Sequence, residues 1–150
     1  MSAYGSTPGT LQGQFNTPRG VAVDSRGRII VVDQGNDRLV VLDFDGQTFS
    51  HRAIITAGLS SPTGIAVDAK DNLYIADTGN NRIVVLDSEG KLVTAYPAPN
   101  DGYTGSFNAP RGVAVAADGD IIVADTGNGR VVTIHDRSGW HPIYLPLIFR

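Results

Sequence analysis

One heptapeptide recurs three times in this chain: Pro18-Arg-Gly-Val-Ala-Val-Asp24, Pro62-Thr-Gly-Ile-Ala-Val-Asp68 and Pro110-Arg-Gly-Val-Ala-Val-Ala116. Each copy is followed by an apolar run ending in Asp (Asp33, Asp77, Asp125), and five residues later by an Arg (Arg38, Arg82, Arg130). The copies are offset by 44 and then 48 residues. Self-similarity at such a period means a repeat architecture, whose units are too small to bury their own apolar faces and must stack on neighbours.

Within a unit, Gly20 to Val23 reads as a short strand, and Ser25-Arg-Gly27 or Ala69-Lys-Asp-Asn72 as a tight turn. The runs Ile29 to Val32, Leu73 to Ala76 and Ile121 to Ala124 are apolar at consecutive positions, the mark of strands buried on both faces. Asp33 to Arg38, Asp77 to Arg82 and Asp125 to Arg130 carry turn chemistry. Third strands follow at Leu39 to Leu42, Ile83 to Leu86 and Val131 to Ile134. A weaker fourth segment closes each unit at Thr48 to Ile55, Leu92 to Tyr96 and Trp140 to Phe149. No stretch holds a helical apolar period for ten residues, so the fold is all-β.

Composition removes several functional classes. There is no cysteine, hence no disulfide, thiolate nucleophile or cysteine metal site. The net charge of −3 repels polyphosphates, and no Lys/Arg stripe is interleaved with aromatics, which disfavours nucleic acid as a partner. The first residues lack the basic start and apolar stretch of a signal peptide, and no segment has the roughly 20 apolar residues of a membrane span. No membrane partner is expected, and the compartment is undetermined.

The pattern Pro-x-Gly-(Val/Ile)-Ala-Val-Asp, then apolar-Asp-x-Gly-Asn-x-Arg-(Leu/Ile/Val)-Val, resembles the NHL repeat of β-propeller proteins from about Phe15 to Gly139. The resemblance implies four-stranded blades: residues 15–61, 62–106 and 107–150, after a flexible N-terminal segment at 1–14. The family includes RNA-binding, ligand-sensing, scaffold and enzymatic members, so the resemblance speaks to fold more than to function. Repeat 3 departs from the others at Ala116 and His135, and an insertion at Pro97 to Tyr103 lengthens the link into it.

Propellers close as rings of about four to eight blades, and three blades alone leave two apolar sheet faces bare. Two completions are open. Two copies join head to tail as a six-bladed homodimeric ring, which closed symmetry favours, or the repeats belong to a longer propeller. We take the homodimer as the expectation.

Three readings of the chemistry follow. Asp33, Asp77 and Asp125 with Arg38, Arg82 and Arg130 are read as structural turn pairs, each Asp accepting N–H groups of its own Gly-Asn turn and each Arg pinning the hairpin. In propellers that this chain resembles, the link into the first strand and the turn between the second and third strands share the channel mouth. Arg19, Thr63 and Arg111, with Asn36, Asn80 and Asn128, are therefore the candidate binding residues, the arginines suiting a protein or small anionic ligand. His51, His135 and His141 occupy different repeat positions, and Asp43-Phe-Asp45-Gly46 lacks the further carboxylates of a calcium loop, so neither metal nor cofactor is expected. The Asp-Thr-Gly triplets at Asp77 and Asp125 are accounted for by the repeat. A non-enzymatic binding scaffold is the leading reading. A lyase or lactonase-like enzyme using the channel is the first alternative, and an RNA-binding propeller the second. The C-terminal Trp140 to Arg150 reads as the fourth strand of blade 3 or as a docking tail, its prolines Pro142 and Pro146 suiting an edge.

Overall fold

The computed structural model describes residues 2–5, 7–96, 106–135 and, for the backbone alone, 143–146. Among these residues are twelve strands in three antiparallel sheets, each a meander of four. Blade 1 comprises β1 (Pro18–Val23), β2 (Ile29–Asp33), β3 (Arg38–Phe44) and β4 (Phe49–Ile55). Blade 2 comprises β5 (Ile65–Val67), β6 (Leu73–Asp77), β7 (Arg82–Leu86) and β8 (Leu92–Tyr96). Blade 3 comprises β9 (Gly112–Val115), β10 (Ile121–Asp125), β11 (Arg130–His135) and β12 (Ile143–Pro146), in which Pro146 stands on the sheet edge. The insertion at 97–103, His141, Pro142 and the rest of the C-terminal segment lie outside the described residues.

Consecutive strands pair because each is bounded by a turn signal at the right length. The β2–β3, β6–β7 and β10–β11 connections are each a single 3₁₀ turn (Gln34–Asn36, Thr78–Asn80, Thr126–Asn128) closed by a left-handed residue, Asp37, Asn81 or Gly129. Short polar or glycine residues tolerate that conformation best. The register then sets Asp33 opposite Arg38, Asp77 opposite Arg82 and Asp125 opposite Arg130.

Alternation along the strands sends side chains to the two faces of each blade, and the facing sets interlock. Ile30, Val32, Leu39 and Val41 of blade 1 pack with Leu59 and with Leu73, Ile75, Val84 and Leu86 of blade 2. The opposite face of blade 2, with Tyr74, Ala76, Ile83, Val85 and Tyr96, packs with Phe107, Ile121, Val123, Val132 and Ile134. Every residue of β6 is therefore buried. Two-sided burial of the second strand is complete only here: Ile29 and Val31 in β2, and Ile122 in β10, are partly buried, and Ala124 is exposed. On the free face of blade 1, Val21 and Val23 are 65% and 61% exposed. Ile54 and, on the free face of blade 3, Val131 are also exposed.

The innermost strands run side by side, β1 against β5 and β5 against β9. Glycine at the start of each makes this approach possible. A Cβ on Gly20 would lie 2.6 Å from Thr63 O, and one on Gly64 only 2.5 Å from Arg111 O.

Among the described N-terminal residues, Tyr4, Gly9, Thr10 and Gln14 contact blade 1. Gly9 N–H donates to Phe15 O, Asn36 Nδ2 to Gly9 O, and Arg38 to Thr10 O and Gln14 O. Tyr4 meets Phe15 edge-on, ring centroids 6.1 Å apart.

Candidate functional site

At one end of each blade, a buried aspartate joins four chain segments. Asp33, Asp77 and Asp125 are wholly inaccessible. Their Oδ1 atoms accept the backbone N–H of Asn16 (2.6 Å), Ser60 (2.7 Å) and Asn108 (2.7 Å). Their Oδ2 atoms accept Nδ2 of Asn36 (2.7 Å), Asn80 (2.9 Å) and Asn128 (2.8 Å), and Nε of Arg38 (2.8 Å), Arg82 (2.7 Å) and Arg130 (2.6 Å). The sequence reading assigned the carboxylate to N–H groups of its own turn. The Asp–Arg pairing across the hairpin is as expected, but the turn's backbone N–H groups receive no side-chain cap: the turn contributes its Asn side chain, and the backbone donor is a residue seventeen positions upstream, in the link that leads into the blade. The guanidinium completes the tie by donating to carbonyls of the same link, Gly58 O for Arg82 and Ser106 O for Arg130. Both oxygens of each buried carboxylate are thus matched by hydrogen-bond donors.

The link and the 3₁₀ turn therefore share one end of the blade, as Gly35 N–H donating to Asn16 O also shows. The six candidate binding residues are all at this end, in three different situations. Arg19 and Arg111 are exposed. Arg19 Nε donates to Gln34 Oε1 at 3.0 Å, and neither guanidinium has an ion pair among the described residues. Thr63, at the equivalent position between them, is 7% exposed, and its hydroxyl lies 2.7 Å from Thr78 Oγ1 and donates to Arg111 O at 2.9 Å. It sews blade 2 to blade 3. Asn36, Asn80 and Asn128 commit their amide donors to the aspartate and to Gly9 O, Gly58 O or Ser106 O.

Further junction bonds escaped the sequence reading. Thr78 Oγ1 donates to Pro110 O (2.7 Å), Ser61 N–H to Asp37 Oδ1 (2.6 Å) and Ala109 N–H to Asn81 Oδ1 (2.8 Å). The left-handed capping residue of one blade thus holds the link into the next. Only the spacing of Asp37 and Asn81 to Ser61 and Ala109 could have signalled it.

At the other end, aspartates organise the hairpin turns. Asp45 accepts the N–H groups of Thr48 and Gln47 and the Thr48 hydroxyl, which hold its pKa below the ordinary value. Asp43 pairs with Arg52 at 3.1 Å. Burial pushes the Asp68 carboxyl up, but donors from Asn72, Lys70 and Tyr74 outweigh it and leave the pKa lowered. Asp71 is held low by the N–H and hydroxyl of Ser25. Among the described residues no three His, Asp or Glu side chains converge as metal ligands.

Three stacked antiparallel four-stranded blades with converging inner strands define a segment of a β-propeller. The NHL repeat matches at residues 15–44, 59–86 and 107–134, more than half of the chain, and the chain belongs to the NHL repeat family. It is 46% identical over 39 residues to the B-box type zinc finger protein ncl-1 of Caenorhabditis elegans, a stretch covering 26% of this chain and 5% of that protein. Among solved structures it resembles virginiamycin B lyase from Staphylococcus aureus (TM-score 0.61, 19% identity, 86% of this chain and 41% of that one). It also resembles a chain of a nidogen/laminin complex (TM-score 0.65, 21% identity, 85% and 47%). The chain thus spans less than half the length of these structures and a small part of ncl-1, and the structural likenesses speak to fold alone.

Proposed function

We propose that this chain is a non-enzymatic binding scaffold. In this reading two copies close head to tail into a six-bladed ring, and an acidic protein segment or small anion binds at the channel mouth. The observation that carries the binding part is the pair Arg19 and Arg111, exposed at the same end of blades 1 and 3 and without a carboxylate partner among the described residues. Guanidinium groups without a carboxylate partner present fork-like donors to carboxylates or phosphates, and Arg19 keeps its Nη groups for this while its Nε donates to Gln34. A dimer places four of them around one mouth. Thr63 and the three asparagines serve as the frame that fixes the arginine backbones.

Self-association rests on the bare apolar faces of blades 1 and 3, which a second copy covers in the way that blade 2 is covered. The test is light scattering over a dilution series, with anisotropy of a labelled hexaglutamate peptide. Expected are a mass twice the chain's 15.8 kDa and binding weakened by about tenfold or more in Arg19→Ala/Arg111→Ala. A monomer overturns the ring; unchanged peptide affinity in the double variant overturns the mouth.

A further inference from the structure

Where the inner strands begin, both blade junctions hold the incoming link on a left-handed capping residue; at the opposite end they have nothing in common among the bonds of the described residues. At the junction of blades 1 and 2, Ser25 donates its N–H (2.8 Å) and its hydroxyl (2.7 Å) to Asp71. Arg28 Nη2 donates to Ser88 O at 3.0 Å, and Arg26 lies 3.3 Å from Glu89. One blade further on, the positions of Ser25, Arg28 and Asp71 are held by Ala69, Asn72 and Gly119. Ala69 and Gly119 have no side chain to bridge with, and Asn72 is turned inward onto Asp68. The space between these two turns is a cleft of about 520 Å³, within the range of about 300–1,000 Å³ that small-molecule sites occupy.

Its walls and rim have distinct chemistry. Val67, Tyr74 and Val85 give apolar walls; Thr94, Lys70 of blade 2 and Asp118 of blade 3 supply polar groups. Asp68 is saturated by Lys70 N–H, Asn72 N–H, Asn72 Nδ2 and the Tyr74 hydroxyl. Among the described residues, the Lys70 ammonium and the Thr94 hydroxyl have no partner, and Asp118 accepts only the N–H of Asp120. One free cation and one under-used anion therefore stand on opposite blades over an aliphatic wall.

We infer that this cleft binds a zwitterionic ligand of dipeptide size with aliphatic side chains, its carboxylate on Lys70, its ammonium on Asp118 and its body on Val67 and Val85. The inference is independent of ring closure and of the channel mouth. Opposed charges set apart by an apolar wall select a molecule with both termini free, because capping either leaves a charge unpaired.

The test is calorimetric titration of the full chain with valyl-valine and with its N-acetylated, C-amidated form. Expected is binding of the free dipeptide, at least about tenfold weaker for the capped form and for Lys70→Met or Asp118→Asn. The variant Ala69→Ser/Gly119→Asp copies the Ser25–Asp71 bridge into the cleft and is expected to abolish binding. An added Cβ at Gly119 meets nothing within 4 Å, but its φ of +92° strains any side chain, less so if the backbone relaxes toward the +65° that Asp71 adopts at the equivalent position. Should that variant fail to fold, the two exposed single substitutions decide. Absence of binding at millimolar dipeptide, equal affinity for the capped form, or unchanged affinity in Lys70→Met would overturn the inference.

Discussion

Arg82 Nε lies 2.7 Å from Asp77 Oδ2, and while the carboxylate is wholly buried, the guanidinium turns outward to Gly58 O in the link before the blade. The pair therefore spans a hairpin turn and the chain that leads into it, and its loss detaches both. Asp77→Ala strands the Ser60 N–H, the Asn80 amide and the Arg82 guanidinium at once. We expect a destabilisation of about 3 kcal/mol or more, since unpaired buried donors and a widowed charge carry costs of that order. Arg82→Ala, which removes a partly exposed partner, costs less. Denaturant melts of the two variants check the order, and an Asp77→Ala loss below about 1 kcal/mol contradicts it.

Gly64→Ala is expected to destabilise the chain by about 1–3 kcal/mol, because the new methyl meets the Arg111 carbonyl at 2.5 Å, and backbone does not yield as a side chain does. Gly112→Ala meets only the Cβ of Ala124, at 3.2 Å, and is expected to be much milder. Thermal melts of the two proteins side by side are the measurement. Equal effects would mean that the inner strands of blades 2 and 3 do not approach closely at Gly64 as described.

Acid weakens the fold through the turn aspartates. Donors hold the carboxyls of Asp71 and Asp68 below the ordinary value of about 3.9, so the stability they contribute is complete above that value. It is lost as the pH falls from about 4 through their lower folded pKa values. Asp71→Asn keeps the shape but has no such titration; its stability at neutral pH is lower and its decline below pH about 4 shallower than the parent's. Urea midpoints measured across that range should converge toward acid, and parallel curves would contradict the assignment.

Charge on the bare face of blade 1 separates folding from assembly. Val21→Lys and Val23→Asp replace side chains more than half exposed, so the melting temperature of the isolated chain should change little. A dimer that covers this face would dissociate. Sedimentation or light scattering at fixed concentration reports the difference, and a dimer that survives both substitutions uses another surface.

Much of the architecture was legible because repetition corrects local ambiguity. Ile29 to Val32 alone is a short apolar run; its counterparts at Leu73 and Ile121, each ending in Asp and an Asn-x-Arg turn, fix it as a second strand. The aspartate's true partners were not legible. Asx-turn chemistry predicts a local N–H donor, whereas Asp77 Oδ1 accepts from Ser60, a pairing that exists only once β6 lies beside the incoming link. Thr63 shares its repeat position with two exposed arginines, but a short hydroxyl is drawn between adjacent inner strands, where Arg111 O needs a donor. The cleft was invisible for a related reason: Ala69 and Gly119 are unremarkable until the structure of the first junction shows what they lack.

Blade 2 contributes to both apolar cores, whereas blades 1 and 3 contribute to one each. Read as a one-dimensional array with nearest-neighbour coupling, a defect in the central unit subtracts from two couplings, and one in a terminal unit subtracts from a single coupling. Amide exchange should therefore be slowest in β6 and β7 and quicken toward both ends. Joining the ends of such an array would erase that gradient, because every blade would then have two neighbours.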